Sequence, residues 1–364
     1  MTLSRSLGIL LLTLLSTVGC VKSAEQRDVT IGAIPDPTAT PATVSFPQDE
    51  QAHDSRLEWW YHSGHLESES GREFGFHFVV FKSDDGLSEP NLVAQFGLLD
   101  LETGKHYDLS RAEAGFRSLG DSELNIEIAN WVYGIGGRPG SHSFAVTTDE
   151  VSMKLSLTAT SPVMLHNEIG WIPSEAGASY YYSWPRQDAV GLLILDGERI
   201  GLTGTGWFDH QWGDFFVLGK PAGWQWFAIQ LDDGGSLMIT EARGIDGNIV
   251  DTYGTYMSPE GEAKILRQES GGIELTATGE WTSPTTDATY PSGWTLRIDL
   301  LDLNLALEPV IKNQEVQGGL PAVSTYWEGK TRASGHQNGE PITANAYAEL
   351  SGYVDPGPIE WMRR

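Results

Sequence analysis

From about residue 50 to its end, the chain is written in a period of two. Val151, Met153, Leu155 and Leu157 alternate with Ser152, Lys154, Ser156 and Thr158, the pattern of a strand with one buried face. Phe74–Phe81 is a run of aromatic and β-branched residues. Leu192–Leu195 runs into the turn Asp196-Gly197, and Ser236–Thr240 precedes a second turn at Asp246-Gly247-Asn248. Leu296–Leu300 and Leu303–Leu307 alternate again. No stretch of this body sustains a 3.6-residue apolar period, and 42 Gly with 18 Pro supply the turns that many short strands require. The pattern predicts an all-β fold, built as sandwiches or closed antiparallel barrels.

A weak internal repeat divides that body. Trp60–Leu66 leads through an acidic turn into the strand Phe74–Phe81; Trp226–Leu231 leads through Asp232-Asp233-Gly234-Gly235 into Leu237–Ile239. With a one-residue gap the two segments match, about half the body apart, as the opening hairpins of two similar barrels would. The boundary is expected around Lys220-Pro221-Ala222-Gly223, giving domains at 50–218 and 219–364.

The first twenty residues read as an export signal. Arg5 precedes the apolar run Leu7–Leu15, too short to cross a bilayer, and small residues lead to Cys20, the only cysteine. One cysteine makes no intrachain disulfide. Its position resembles a bacterial lipobox, although Thr17 stands where Leu is usual. Lipidation of Cys20 would place the protein at the periplasmic face of a bacterial membrane, the outer one by expectation, held through its lipid alone. Residues 21–49, with Pro35, Pro37, Pro41 and Pro47, read as an extended tether.

Charge narrows the partners. Lys and Arg total 23 against 49 Asp and Glu, a net −26 that repels phosphate and excludes nucleic acid as a natural ligand. Protein partners cannot be read from the chain. His62 and His65 fall on opposite faces of a strand, and the chain holds neither a His-Glu-x-x-His stretch nor a thiolate pair, so no metal is expected. Nor does it carry a Gly-x-Ser-x-Gly elbow, a phosphate loop or a dinucleotide fingerprint, and no cofactor is expected.

Several blocks resemble one family. Leu57-Glu58-Trp59-Trp60-Tyr61-His62-Ser63-Gly64-His65-Leu66, Gly204-Thr205-Gly206-Trp207-Phe208-Asp209-His210-Gln211-Trp212-Gly213 and Gly223-Trp224-Gln225-Trp226-Phe227 are similar to the AttH/CrtC family, as are Tyr326-Trp327-Glu328-Gly329 and Ala348-Glu349-Leu350-Ser351-Gly352-Tyr353. The family includes carotenoid 1,2-hydratases, kievitone hydratase and proteins labelled predicted secreted hydrolases. The resemblance implies two consecutive lipocalin-like barrels that hold a hydrophobic, terpenoid or polyketide-like molecule. It implies either a hydratase (a hydro-lyase) or a non-catalytic carrier of lipophilic ligands.

Hydrating an alkene takes a proton donor, a face that stabilises a cation and a positioned water. Burial keeps a carboxyl protonated, and Trp or Tyr faces stabilise cations. Carotenoid hydratases carry a His-x-Trp pair and a downstream Asp, which the resemblance places at His210, Trp212 and, with a gap, Asp232. On a strand His210 and Trp212 share a face while Asp209 points away. His210, Trp212 and Asp232 are expected to converge on one aromatic-lined pocket, with Asp209 counted among the catalytic residues as close enough to orient a neighbour. Glu58, Trp60, Tyr61, Trp207, Trp224 and Trp226 are the expected ligand-binding residues; Trp207, Trp212, Trp224 and Trp226 are equally open to filling the core between the barrels, and Glu58 and Tyr61 to hydrogen bonding within the first barrel. The assignment requires Asp232 to be buried beside His210 and Trp212; an exposed Asp232 on a hairpin tip favours the carrier.

Overall fold

The computed structural model describes residues 41–84, 91–115, 123–174, 177–215, 223–244, 246–317 and 325–354. The export signal, Cys20, most of the tether and the expected boundary at 218/219 lie outside the described residues.

The first half contributes β1 (Leu57–Ser68), β2 (Glu73–Ser83), β3 (Asn91–Asp100), β4 (Lys105–Ala114), β5 (Asn125–Ile128), β6 (Trp131–Ile135), β7 (Ser141–Thr147), β8 (Val151–Ala159), β9 (Met164–Leu165), β10 (Trp171–Ser174), β11 (Gly177–Leu195) and β12 (Glu198–Phe215). The second contributes β13 (Gly223–Leu231), β14 (Ser236–Arg243), β15 (Ile249–Met257), β16 (Ala263–Arg267), β17 (Ile273–Ala277), β18 (Glu280–Thr282), β19 (Thr289–Pro291), β20 (Trp294–Ile298), β21 (Leu303–Pro309), β22 (Glu315–Val316), β23 (Tyr326–Gln337) and β24 (Glu340–Ser351). One short helix, α1 (Gln268–Gly271), lies between β16 and β17. The all-β reading holds. The Leu296–Leu300 alternation ends as strand at Ile298, where a 3-10 turn over Asp299–Leu301 takes over. No helix among the described residues is long and apolar enough to cross a membrane.

Each half is an antiparallel sheet curled into a nearly closed barrel. The first runs β4-β3-β2-β1-β12-β11-β8-β7-β6-β5, and β5 returns to pack on β3 and β4. The second runs β16-β15-β14-β13-β24-β23-β21-β20-β17, with α1 bridging β16 and β17. The two orders match over β4-β3-β2-β1-β12-β11 and β16-β15-β14-β13-β24-β23, so the repeat is structural there; beyond it the first path continues with four strands and the second with three. Tyr61 pairs with Asp209 on the last long strand of its barrel, as Trp226 pairs with Glu349 on the last strand of the other. In this register Tyr61 answers to Trp226 and Leu66 to Leu231, and the gap allowed from sequence is not needed.

Strand alternation sorts the side chains into three cores. Trp60, Phe76, Phe78, Phe96, Tyr133 and Tyr182 fill the lumen of the first barrel, and Phe227, Ile239, Trp294, Leu305, Trp327 and Leu350 that of the second. The outer faces of β1, β2, β11 and β12 meet those of β13, β14, β23 and β24 in a seam cored by Tyr61, Val79, Tyr181, Trp207, Trp226 and Met238. The packed body begins before residue 50. Val44 is buried in the first barrel's core, and the Phe46 ring meets Tyr182 edge-on at 5.0 Å, so the last residues assigned to the tether belong to the barrel.

Candidate active site at the seam between the barrels

Two ladders face each other across the seam. On the first barrel Tyr61, Asp209 and Ser183 stand side by side on β1, β12 and β11. On the second, Trp226, Glu349 and Glu328 do the same on β13, β24 and β23. The side chains interlock: Tyr61 Oη donates to Glu328 Oε1 at 2.5 Å, and Trp226 Nε1 donates to Tyr181 Oη at 3.0 Å.

Asp209 is the centre of the first ladder. It is 3% exposed and accepts from Tyr181 Oη at 2.6 Å, from Trp207 Nε1 at 2.7 Å and from Ser183 Oγ. Every one of these donors is neutral. Burial pushes the carboxyl up to about 7, against the downward pull of the three hydrogen bonds. Behind Ser183 stands His166, whose Nε2 meets Ser183 Oγ at 2.8 Å and whose Nδ1 meets Thr255 Oγ1 on the second barrel at 2.9 Å. Because Ser183 donates its proton to Asp209, His166 must donate from Nε2 and accept from Thr255. Burial holds this imidazole down to about 3, so it is neutral at physiological pH.

Two further carboxyls complete the seam. Burial raises Glu328 well above the ordinary range, and the neighbouring Glu349 adds to the shift. Glu349, partly exposed, accepts from Trp224 Nε1 at 3.0 Å and is raised to about 7, again chiefly by burial. Beside them Ser63 Oγ, His65 Nδ1, both ring nitrogens of His77, Gln95 Nε2 and Glu328 Oε2 are buried without a hydrogen-bond partner. Buried polar atoms are nearly always paired, and a cluster of orphans marks where a polar molecule can be held. Gly97 makes room for one of them, since a Cβ there would stand 2.1 Å from the His77 ring. A narrow crevice lined by Ser63, His65, Trp207, Ala228, Gln230 and Tyr347 runs alongside.

The residues expected to form one pocket are divided by the sheet between β12's two faces. Asp209, Tyr61, Trp207, Trp224 and Trp226 belong to the seam. His210, Trp212, Glu58 and Trp60 point into the first barrel's lumen, where His210 Nε2 meets Glu58 Oε1 at 3.0 Å and its ring stacks on Trp60 at 5.0 Å. Asp232 joins neither group. It is exposed at the end of β13, where Oδ2 accepts from Thr343 N at 3.1 Å and from Thr343 Oγ1 at 2.6 Å, and the hydroxyl contact lowers its pKa. The expected acid therefore lacks the desolvation that acid catalysis requires. Tyr181, Ser183, His166, Glu328 and Glu349 had no role assigned from sequence. One signal for Glu349 was available: a lone carboxylate in the apolar run Ala346–Leu350.

This fold and seam define a double-barrel protein, and the AttH-like family pattern matches residues 37–353. The chain belongs to the AttH-like family. Its fold is similar to the crystal structure of a Nitrosomonas europaea protein classed as AttH, with 28% identity and a TM-score of 0.78 over 87% of this chain and 99% of that one. It is also similar to kievitone hydratase from Nectria haematococca, with 18% identity and a TM-score of 0.69 over 88% of this chain and 94% of that one. No curated protein matches the chain.

Proposed function

We propose that the chain binds a small apolar molecule, terpenoid or polyketide-like, at the seam and adds water across one of its C=C bonds, with Asp209 as the acid. The observation that carries this reading is a buried carboxyl poised near neutrality among neutral donors and aromatic faces. In the reaction the Asp209 proton passes to one alkene carbon, and the cation left on the other faces the rings of Trp207, Trp226 and Tyr61. Water adds there and gives its proton back to the Asp209 carboxylate, which Ser183 and His166 keep oriented. The name of the fold neighbour kievitone hydratase supports a hydration.

The carrier alternative asks only for an apolar chamber, and large aromatic side chains occupy the first barrel's lumen. The test is mass spectrometry of lipophilic molecules copurifying with wild type and with Asp209→Asn. Wild type should carry molecules heavier by one water than those on the variant, and single-turnover conversion should fall by about 100-fold. The same product on both proteins refutes the acid and leaves a carrier. Export and a lipid on Cys20 belong to the same reading. Cys20→Ser should move the folded body from the membrane to the soluble fraction, and wild type found already soluble would remove the anchor.

A further inference from the structure

At the mouth of the first barrel, beneath the 3-10 turn Gln48–Glu50, three side chains outside the seam chemistry aim one atom each at a common point. His53 Nδ1 lies 2.8 Å from Glu58 Oε1 and His210 Nε2 lies 3.0 Å from the same oxygen. The three atoms fall within 4.8 Å of one another. Glu58 and His210 are wholly buried, while the His53 side chain is 20% exposed. Both rings are fixed by stacking, His53 on Trp212 at 3.9 Å and 4°, His210 on Trp60 at 5.0 Å and 24°. Lys82 Nζ holds the other carboxylate oxygen, Oε2, at 3.2 Å, which leaves Oε1 turned to the imidazoles.

A proton count shows what this corner lacks. A neutral imidazole has one N–H to give. His53 presents its far nitrogen, Nε2, to Asp49 Oδ1 at 3.4 Å. His210 presents its far nitrogen, Nδ1, to Tyr182 Oη at 3.3 Å, and the Asp49 backbone also meets this ring. His53 therefore has carboxylate oxygen at both ends and one proton for the two, while His210 has a carboxylate at one end and, at the other, a hydroxyl that can give or take a proton. A cation at the Glu58 Oε1 corner suits both rings: the near nitrogens turn lone pairs to it and the far N–H groups donate outward, His53 to Asp49 and His210 to Tyr182. That outer shell is the one metal-bound histidines usually have.

We propose that His53, Glu58 and His210 bind a divalent transition-metal ion of the zinc class. Two imidazoles and a carboxylate are the donor set such ions take, with a fourth position left for water. Neighbouring donors in a tetrahedral zinc site stand about 3.3 Å apart, so each imidazole nitrogen needs to move out from Glu58 Oε1 by only a few tenths of an ångström, with the two nitrogens already within 4.8 Å of each other. Two carboxyl groups, Asp49 and Glu58, stand against one ammonium, Lys82, an excess that suits a dication. The ion would tie the segment before β1 to β1 and β12. The site is independent of the seam reading, and it uses neither His62 nor His65, the pair that the sequence brings to mind.

The test is calorimetric titration of the chelator-stripped protein with Zn2+ alone. Wild type should take one ion per chain, and His53→Gln, altered at the most exposed ligand, should bind at least ~10-fold more weakly. Failure of wild type to take zinc overturns the proposal. Undiminished binding by His53→Gln overturns it too, by putting the ion elsewhere. If His53→Gln does not fold, Co2+ added to wild type decides: intense visible bands of a four-coordinate ion support the site, and their absence refutes it.

Discussion

Asp209 and Glu58 stand on paired strands, β12 and β1, both are buried, and they sit at opposite ends of the carboxyl range. Asp209 is raised to about 7 and Glu58 is lowered to about 2. Desolvation is the largest influence on both and pushes both upward. What differs is the company. Asp209 meets only neutral donors, whereas Glu58 meets the rings of His210 and His53, which draw its pKa down. Burial alone does not fix a carboxyl's charge; the partners across the strand do. One sheet thus keeps a carboxyl poised near neutrality on its outer face and an anchored carboxylate on its inner face.

The hardest way to break this contrast is to remove the anchored carboxylate. Glu58→Ala leaves the buried Lys82 and two imidazoles without their shared acceptor, and it should cost about 3–5 kcal/mol, the scale for breaking a buried ion pair. Urea unfolding measures it. A loss under about 1 kcal/mol would mean that Glu58 is not the charge that organises the lumen.

A smaller effect sharpens the contrast through pH. The folded pKa of Asp209 lies above its unfolded value near 3.8, so its contribution is present in acid and is lost as pH rises from about 4 through 7. Glu58 runs the other way, with a contribution present above about 4.5 and lost as pH falls toward 2. Asp209→Asn should therefore flatten the fall in melting temperature between pH 4 and 7 by several degrees, roughly 1–3 kcal/mol. Part of the slope should remain, since Glu349 is raised in the same range. Parallel curves for wild type and variant would show that Asp209 is already ionised when folded.

The period of two made the barrels legible, and with them the separation of Asp209 from His210 and Trp212, because parity on a strand needs no tertiary knowledge. It did not show that the outer face of β12 is also buried. That depends on a second barrel packing against it, and on which residues of β23 and β24 arrive opposite. Glu328 stood in the quoted Tyr326-Trp327-Glu328-Gly329 block without a role, since nothing local indicates that Tyr61 reaches it. His53 was hidden for another reason: it lies in irregular chain just past the Pro-rich segment, with no periodic pattern to assign it a face.

Asp232 gives the smallest effect and separates the seam acid from the one expected at the turn. It is solvated, its pKa is lowered rather than raised, and its hydrogen bonds go to Thr343 on the neighbouring strand end. A carboxylate that stays ionised in water cannot hold a proton for an alkene. Asp232→Asn keeps the shape and one acceptor oxygen for Thr343, so stability should shift by no more than about 0.5 kcal/mol. The hydrated product should accumulate as in wild type, read in the same copurification experiment that tests Asp209→Asn. Should Asp232→Asn abolish the product while Asp209→Asn leaves it intact, the acid would lie at the turn and the seam carboxyls would be packing alone.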